Sequence, residues 1–201
     1  IISAFPVKED IGMVVADPSS GARALAEHLM QFGHKKIGFV THNENWNTFE
    51  APLYFKYESL ARAEKIKKVF DEYALCCLDE HILFSCRTQE TTKKKLVELL
   101  KKDNLPDALW SHNDETAGWV IDILENHGLR VPEDISIIGY DGCSAEPLYS
   151  RLTTINLPFY AIGVKAVEQL IEFQKNGLTK ENKLVELQTS LVLKKTLAAK
   201  K

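Results

Sequence analysis

The sequence predicts an α/β protein in which a mostly parallel sheet carries helices on both faces. Three observations lead there. Short extended apolar runs alternate with helix-period segments along most of the 201 residues. The clearest strand, Ile135-Ser136-Ile137-Ile138-Gly139-Tyr140, is almost continuously apolar and runs straight into Asp141 at its carboxyl end. Finally, 45% hydrophobic and 26% charged residues describe an ordinary globular chain, long enough to bury a substantial core.

Taken in order, extended Gly12 to Ala16 leads into Asp17-Pro18-Ser19-Ser20, a turn and helix start rich in capping residues. Ala22, Leu25, Ala26 and Leu29 mark one helical face, and Gly33 stops that helix. Ile37 to Val40 reads as a short buried strand, followed by a polar and aromatic loop to about Tyr57. A second helix carries Leu60, Ala63, Ile66, Phe70 and Tyr73 on one face. His81 to Phe84 is the next strand, and Thr91 to Lys101 is helical with Leu96, Leu99 and Leu100 inward. Ala108 to Ser111 is a strand. Asp114 begins a helix bearing Ala117, Val120, Ile121 and Leu124, stopped by Gly128. After the Ile135 strand come a loop, a second extended run from Leu152 to Ile155, a helix from about Phe159 to Lys175, and a β-rich tail.

Composition excludes several classes. The net charge is −3, so the whole chain is no electrostatic match for a phosphate backbone, and any DNA-reading part is expected to lie outside it. No run is apolar and long enough to span a bilayer. The four cysteines, Cys76, Cys77, Cys86 and Cys143, form no C-x-x-C pair; free thiols in a reducing, cytoplasmic compartment are expected. No G-x-G-x-x-G, Walker-type loop or G-x-S-x-G elbow is present, so enzymatic activity and a cofactor are not expected. His112 lacks ligating neighbours at a recognisable spacing, and no metal site is expected either. The chain opens without methionine and is expected to be a fragment.

Several separated motifs resemble one family. Val131 to Ile155, VPEDISIIGYDGCSAEPLYSRLTTI, is similar to the segment "VP-x-DISVIGYDD … P-x-LTT" of the lactose-repressor/galactose-repressor (LacI/GalR) transcriptional regulators. Asp17 to Ala22, His28-Leu29 and Gly33-His34 through Ile37 resemble that family's "D-x-x-x-GA … HL-x-x-x-GH-x-x-I". Arg62 looks like its "R-x-x-G-[FY]" arginine, and Pro106 to Asp114 resembles "PDA-[IL]-…-ND". Singly these are weak; together and in order they cover nearly the whole chain. The resemblance implies a periplasmic-binding-protein-like type I fold of two α/β lobes, with the second lobe complete and the first partial. It places residues 1–16 at the end of the first lobe and crossover, and 17–154 in the C-terminal lobe. Residues 155–186 would be a first-lobe helix and strand, and 187–201 a return to the C-terminal lobe. A late helix without its sheet would carry an apolar face in need of a partner.

The same resemblance implies effector-binding roles for Arg62, Asn113, Asp141 and Phe159, with Phe84 a looser match to a cleft aromatic. The chemistry fits a polyhydroxylated ligand such as a sugar. A carboxylate accepts from neighbouring hydroxyls, a guanidinium donates in a fixed fork, an amide does both, and rings at Phe84, Phe159 or Trp46 cover apolar C–H faces. Each has a plainer reading. Asp141 could cap its turn, Arg62 could be a surface partner of Glu58, Asn113-Asp114 could be a helix N-cap, and Phe84 and Phe159 could be core. Asp17 and His34 read as structural. The chain departs from the family pattern at Lys65, Gly142, Ser150 and Leu157, which leaves the ligand's identity open.

The expected function is therefore the effector-binding and dimerisation region of a bacterial LacI/GalR-type regulator. Operator DNA would be reached through a head outside this chain. Trp119, Leu148 and Tyr149 are the candidate homodimer residues, against ordinary core packing. The alternative is a sugar-binding protein of a transport system with the same fold.

Overall fold

The computed structural model describes residues 12–45, 61–143, 145, 147–177, 179 and 184–200. Its strands are β1 Met13–Asp17, β2 Ile37–Val40, β3 Ile82–Leu83, β4 Ala108–Ser111, β5 Ser136–Asp141, β6 Thr153–Asn156, β7 Leu184–Gln188 and β8 Ser190–Val192. Six of them form one sheet in the order β3-β2-β4-β5-β6-β8. Every neighbouring pair in it is parallel except β6 and β8. β1 and β7 pair in parallel as a separate two-stranded sheet.

Alternation along the strands divides the sheet between two cores. Phe39, Trp110, Ile138, Tyr140 and Ile155 face one side. There they meet Leu25 and Leu29 of α1 (Ser19–Gln31) and Ile66 and Phe70 of α2 (Ala61–Glu72). Val40, Leu83, Leu109 and Ile137 face the other side. That core is completed by Leu96 and Leu99 of α3 (Gln89–Leu100) and Val120 and Leu124 of α4 (Asp114–Asn126). Strands covered on both faces need apolar residues at nearly every position, which is why they read as continuous apolar runs. The expected parallel α/β class is the one observed.

Several boundaries differ from the sequence reading. α3 starts at Gln89, two residues before the expected Thr91, because Thr88 and Thr91 form a reciprocal capping box. β3 is two residues rather than four, since Asp79–His81 form a 3-10 turn and Phe84 lies beyond the pairing. The loop before Leu152 contains a short helix, α5 Leu148–Arg151. The β-rich tail resolves into two strands that join different sheets.

Helix α6, Phe159–Asn176, buries Ile162 and Gln169 but leaves Tyr160, Val164, Val167, Leu170 and Ile171 exposed. Among the described residues nothing covers those side chains. Beyond β8 the chain laces the sheet together. Thr196 Oγ1 donates to the Ile137 carbonyl at 2.7 Å and accepts from Thr153 N at 2.9 Å. Lys200 ion-pairs with Asp107, whose other oxygen accepts from the Lys35 and Lys36 amides. All four cysteines are free.

Candidate functional site

Parallel strands carry their successive carboxyl ends to one edge of the sheet, and loops there gather residues distant in sequence. At this edge β4 delivers His112 and Asn113, β5 delivers Asp141, and β2 delivers Thr41, His42 and Asn43. Arg62, in the first turn of α2, reaches into the same place. Its guanidinium donates to the His112 carbonyl at 2.9 Å, lies 4.1 Å from the Tyr140 ring centroid, and stands 3.5 Å from Asp141 Oδ1.

Arg62 is only 8% exposed, which corrects its alternative reading as a surface residue; Glu58, its suggested partner, lies outside the described residues. A buried guanidinium is costly unless its donors are met, and here a carbonyl, a carboxylate and a ring face meet them. Asp141 sits at the mouth with φ +109°, a left-handed conformation strained for a residue with a Cβ. Gly142 follows at φ +75°, where a Cβ would come within 2.2 Å of Asn156 Oδ1. Glycine at that position is thus required by both backbone and space.

Asn113 is the N-cap of α4: its Oδ1 accepts from Thr116 N at 2.8 Å. The capping reading holds, and it leaves the Nδ2 group as the donor this side chain could offer a ligand. Phe84 is half-buried against the α1/α2 core, as its plainer reading had it. Phe159 is 54% exposed at the start of α6, two residues after Leu157, whose amide donates to the Asp141 carbonyl at 3.1 Å. Arg62, Asn113 and Asp141 are therefore brought to one edge of the sheet, with Phe159 on the chain leaving it. Trp46 lies outside the described residues. Asp17 accepts from Ser19 N and Oγ at the start of α1, as expected, and also ion-pairs with Lys65 at 3.4 Å.

The sequence reading weighed His112 only as a metal ligand and missed its pairing with His42. His42 and His112 stack with ring centroids 4.1 Å apart, and His42 Nε2 lies 2.9 Å from Thr116 Oγ1. Burial, reinforced by the charges of Arg62 and Arg87, pushes the His42 imidazole down to about 4. Burial, then Arg62 and His42, holds His112 well below the usual histidine value. Both rings are neutral near pH 7. Both sit just past adjacent strands whose ends pair as Val40 and Ser111, a position readable from sequence only once that register is known.

Trp119 and Leu148 are partly exposed and pack against the α3/α4 core; the Tyr149 side chain lies outside the described residues. A depression of about 420 Å³ lined by Gln89, Lys93, Asp122, Ile123 and His127 contains none of the strand-end residues. Among the described residues, no group of three or more His, Cys, Asp or Glu is arranged to hold a metal ion. None of their helices is long and apolar enough to cross a membrane.

A parallel sheet covered on both faces, with polar side chains gathered at its carboxyl edge, defines a doubly wound α/β domain. The chain belongs to the periplasmic binding protein-like domain family, whose model matches residues 26–197. Curated relatives include the HTH-type transcriptional repressor PurR of Haemophilus influenzae (strain PittEE), 31% identical over 92% of this chain and 53% of that protein. The NTD biosynthesis operon regulator NtdR of Bacillus subtilis is 26% identical over 93% of this chain and 54% of its own length. The chain thus spans about half the length of the curated relatives it matches. Among solved structures it is similar in fold to a dimeric Lac repressor with an 11-residue C-terminal deletion. The TM-score is 0.77 at 22% identity, covering 98% of this chain and 67% of that one. A LacI family regulator from Mycobacterium smegmatis gives a TM-score of 0.75 at 21% identity, covering 98% and 69%.

Proposed function

We propose that this chain is the effector-binding and dimerisation region of a LacI/GalR-type transcriptional regulator. The carrying observation is Arg62, buried beneath the sheet edge and aligned with Asp141 by Tyr140 and the His112 carbonyl. Such an arrangement offers fixed donors and acceptors to a small polar ligand. A sugar, with its adjacent hydroxyls, is the favoured class. The relatives' names, repressor and operon regulator, favour regulation over transport. In this reading residues 17–154 and 187–201 form the C-terminal lobe, while residues 1–16 and 155–186, with α6 and most of β1 and β7, belong to a first lobe; β6, β1 and β7 each run across one of these bounds. The separate β1–β7 sheet and the exposed apolar face of α6 support that division. Operator DNA is read by a separate segment of the full regulator, which works in the cytoplasm without enzymatic activity. A ligand acts there by preferring one arrangement of the lobes over another.

A thermal-shift screen of the chain against hexoses, pentoses and nucleobases identifies the class, and titration calorimetry then measures the hit. Asp141→Ala is expected to weaken that binding by tenfold or more, about the cost of a charge-assisted hydrogen bond, with the circular dichroism of the fold retained. Unchanged affinity overturns the assigned role. For dimerisation through Trp119, Leu148 and Tyr149, sedimentation is expected to show a dimer that Leu148→Asp dissociates. A chain that stays monomeric at high concentration sinks that part.

A further inference from the structure

We infer that Asp114, a buried carboxylate outside the contact set proposed above, is a positioning residue that holds Asp141 in its ligand-facing conformation; this rests on the reading of Asp141 as an effector contact. Asp141 and Gly142 are two successive left-handed residues, and the first carries a conformational penalty that neighbouring bonds must offset. On the upstream side, the Asp141 carbonyl is tied to Leu157 N. On the downstream side the tie is Asp114. Its Oδ2 accepts from Cys143 N at 2.9 Å, immediately after the left-handed pair. Its Oδ1 accepts from Thr154 Oγ1 at 2.6 Å, on the strand beside β5.

The carboxylate is built in rather than incidental. Asp114 is 2% exposed. It occupies the first position of α4, where the helix N-terminus favours negative charge. Gly139 on β5 makes room for it: a Cβ there would lie 2.3 Å from Asp114 Oδ1. Sheet, helix and loop therefore meet at one side chain. An asparagine in its place changes this set. Its one oxygen could still accept from Cys143 N, but its NH2 would have to donate to the Thr154 hydroxyl, which reverses that bond and removes the charge that strengthens both.

The test needs no ligand. In the 15N-labelled full chain, the Arg62 Nε–H resonance reports the Arg62–Asp141 contact, and exchange of the Cys143 amide reports the anchor. Asp114→Asn is expected to move the Arg62 resonance in the same direction as Asp141→Asn and to speed Cys143 exchange on the order of tenfold. The double variant Asp114→Asn/Asp141→Asn is expected to show no further change at Arg62. Thr154→Val, which removes one partner of the carboxylate, should reproduce a smaller shift, and Thr154→Ser should restore it. A merely structural aspartate would lower the melting temperature and leave Arg62 unmoved; that result overturns the inference. If Asp114→Asn does not fold, the Thr154→Val and Thr154→Ser pair decides by the same criterion. A compound found by the screen adds a separate arm. Asp114→Asn should then weaken its binding in the native background but not in Asp141→Ala. Failure of all compounds to bind would count against the functional reading and leave the Arg62 comparison to judge Asp114.

Discussion

Trp110→Ala is expected to destabilise the fold by about 3–5 kcal/mol, the usual cost of emptying a fully buried aromatic site. Trp110 is wholly buried on β4, with the Phe39 ring centroid 5.3 Å away and that of Tyr140 6.2 Å away. Tyr140 is in turn the ring on which Arg62 rests. Loss of the indole should therefore loosen the seat of Arg62 as well as the core. Trp110→Phe separates volume from polarity. Among the described residues the indole N–H meets no acceptor, so phenylalanine sacrifices no hydrogen bond and should recover much of the stability. Equilibrium urea unfolding measures both variants. A loss below about 1 kcal/mol for the alanine would mean that the α1/α2 core collapses around the gap.

The second large effect is acid sensitivity. A histidine whose folded-state value is depressed takes up its proton more readily when unfolded. Its contribution to stability is complete above the unfolded value near 6.5 and is lost as pH falls toward the folded value. For His42, with a folded value of about 4, the window runs from 6.5 down to about 4, and its full span is at most about 3 kcal/mol. His112 and His34 are shifted in the same direction, chiefly by burial, and add to the loss. Asp107 is depressed as well: burial would raise its carboxyl, but Lys200 and two backbone amides hold it below its usual value, so its contribution is lost in the same sense at still lower pH. Urea midpoints should therefore fall steeply between pH 6.5 and pH 4.5, and His42→Gln should flatten that fall. Equal stability at pH 7 and pH 5 would contradict the buried, neutral state of the pair.

The layered class was legible because both faces of the sheet are covered. Ile37 to Val40, Ala108 to Ser111 and Ile135 to Tyr140 had no choice but to be apolar nearly throughout, and their alternation with helix-period segments named a parallel sheet. Asp141 was legible by place, as a carboxylate at the end of such a strand. Arg62 was legible through motif resemblance but not through its environment. Its partners, His112 and Asp141, come from two later strand ends, so its burial depends on strand order that periodicity does not encode. The histidine stack and the Asp114 anchor were hidden for the same reason. The start of α3 escaped because Thr88 and Thr91 form a capping box without the usual acidic residue. The tail was legible from its residues only as β-rich; the family resemblance implied a strand followed by a return to the other lobe, while periodicity does not encode that β7 pairs with β1 and β8 with β6.

The late lacing of the sheet has a consequence for how the molecule is made. A chain emerging from the ribosome can lay down β2 to β6 with their helices, yet β6 keeps an open edge until residues 190–192 pair with it. Thr196 and Lys200, which tie β5, β6 and Asp107, arrive later still. During that interval an unpaired edge strand and the apolar side of α6 are presented together, the combination that invites aggregation and capture by chaperones. Residues 190–200 therefore close the sheet last, and a nick within them is expected to reopen the β6 edge in a finished molecule.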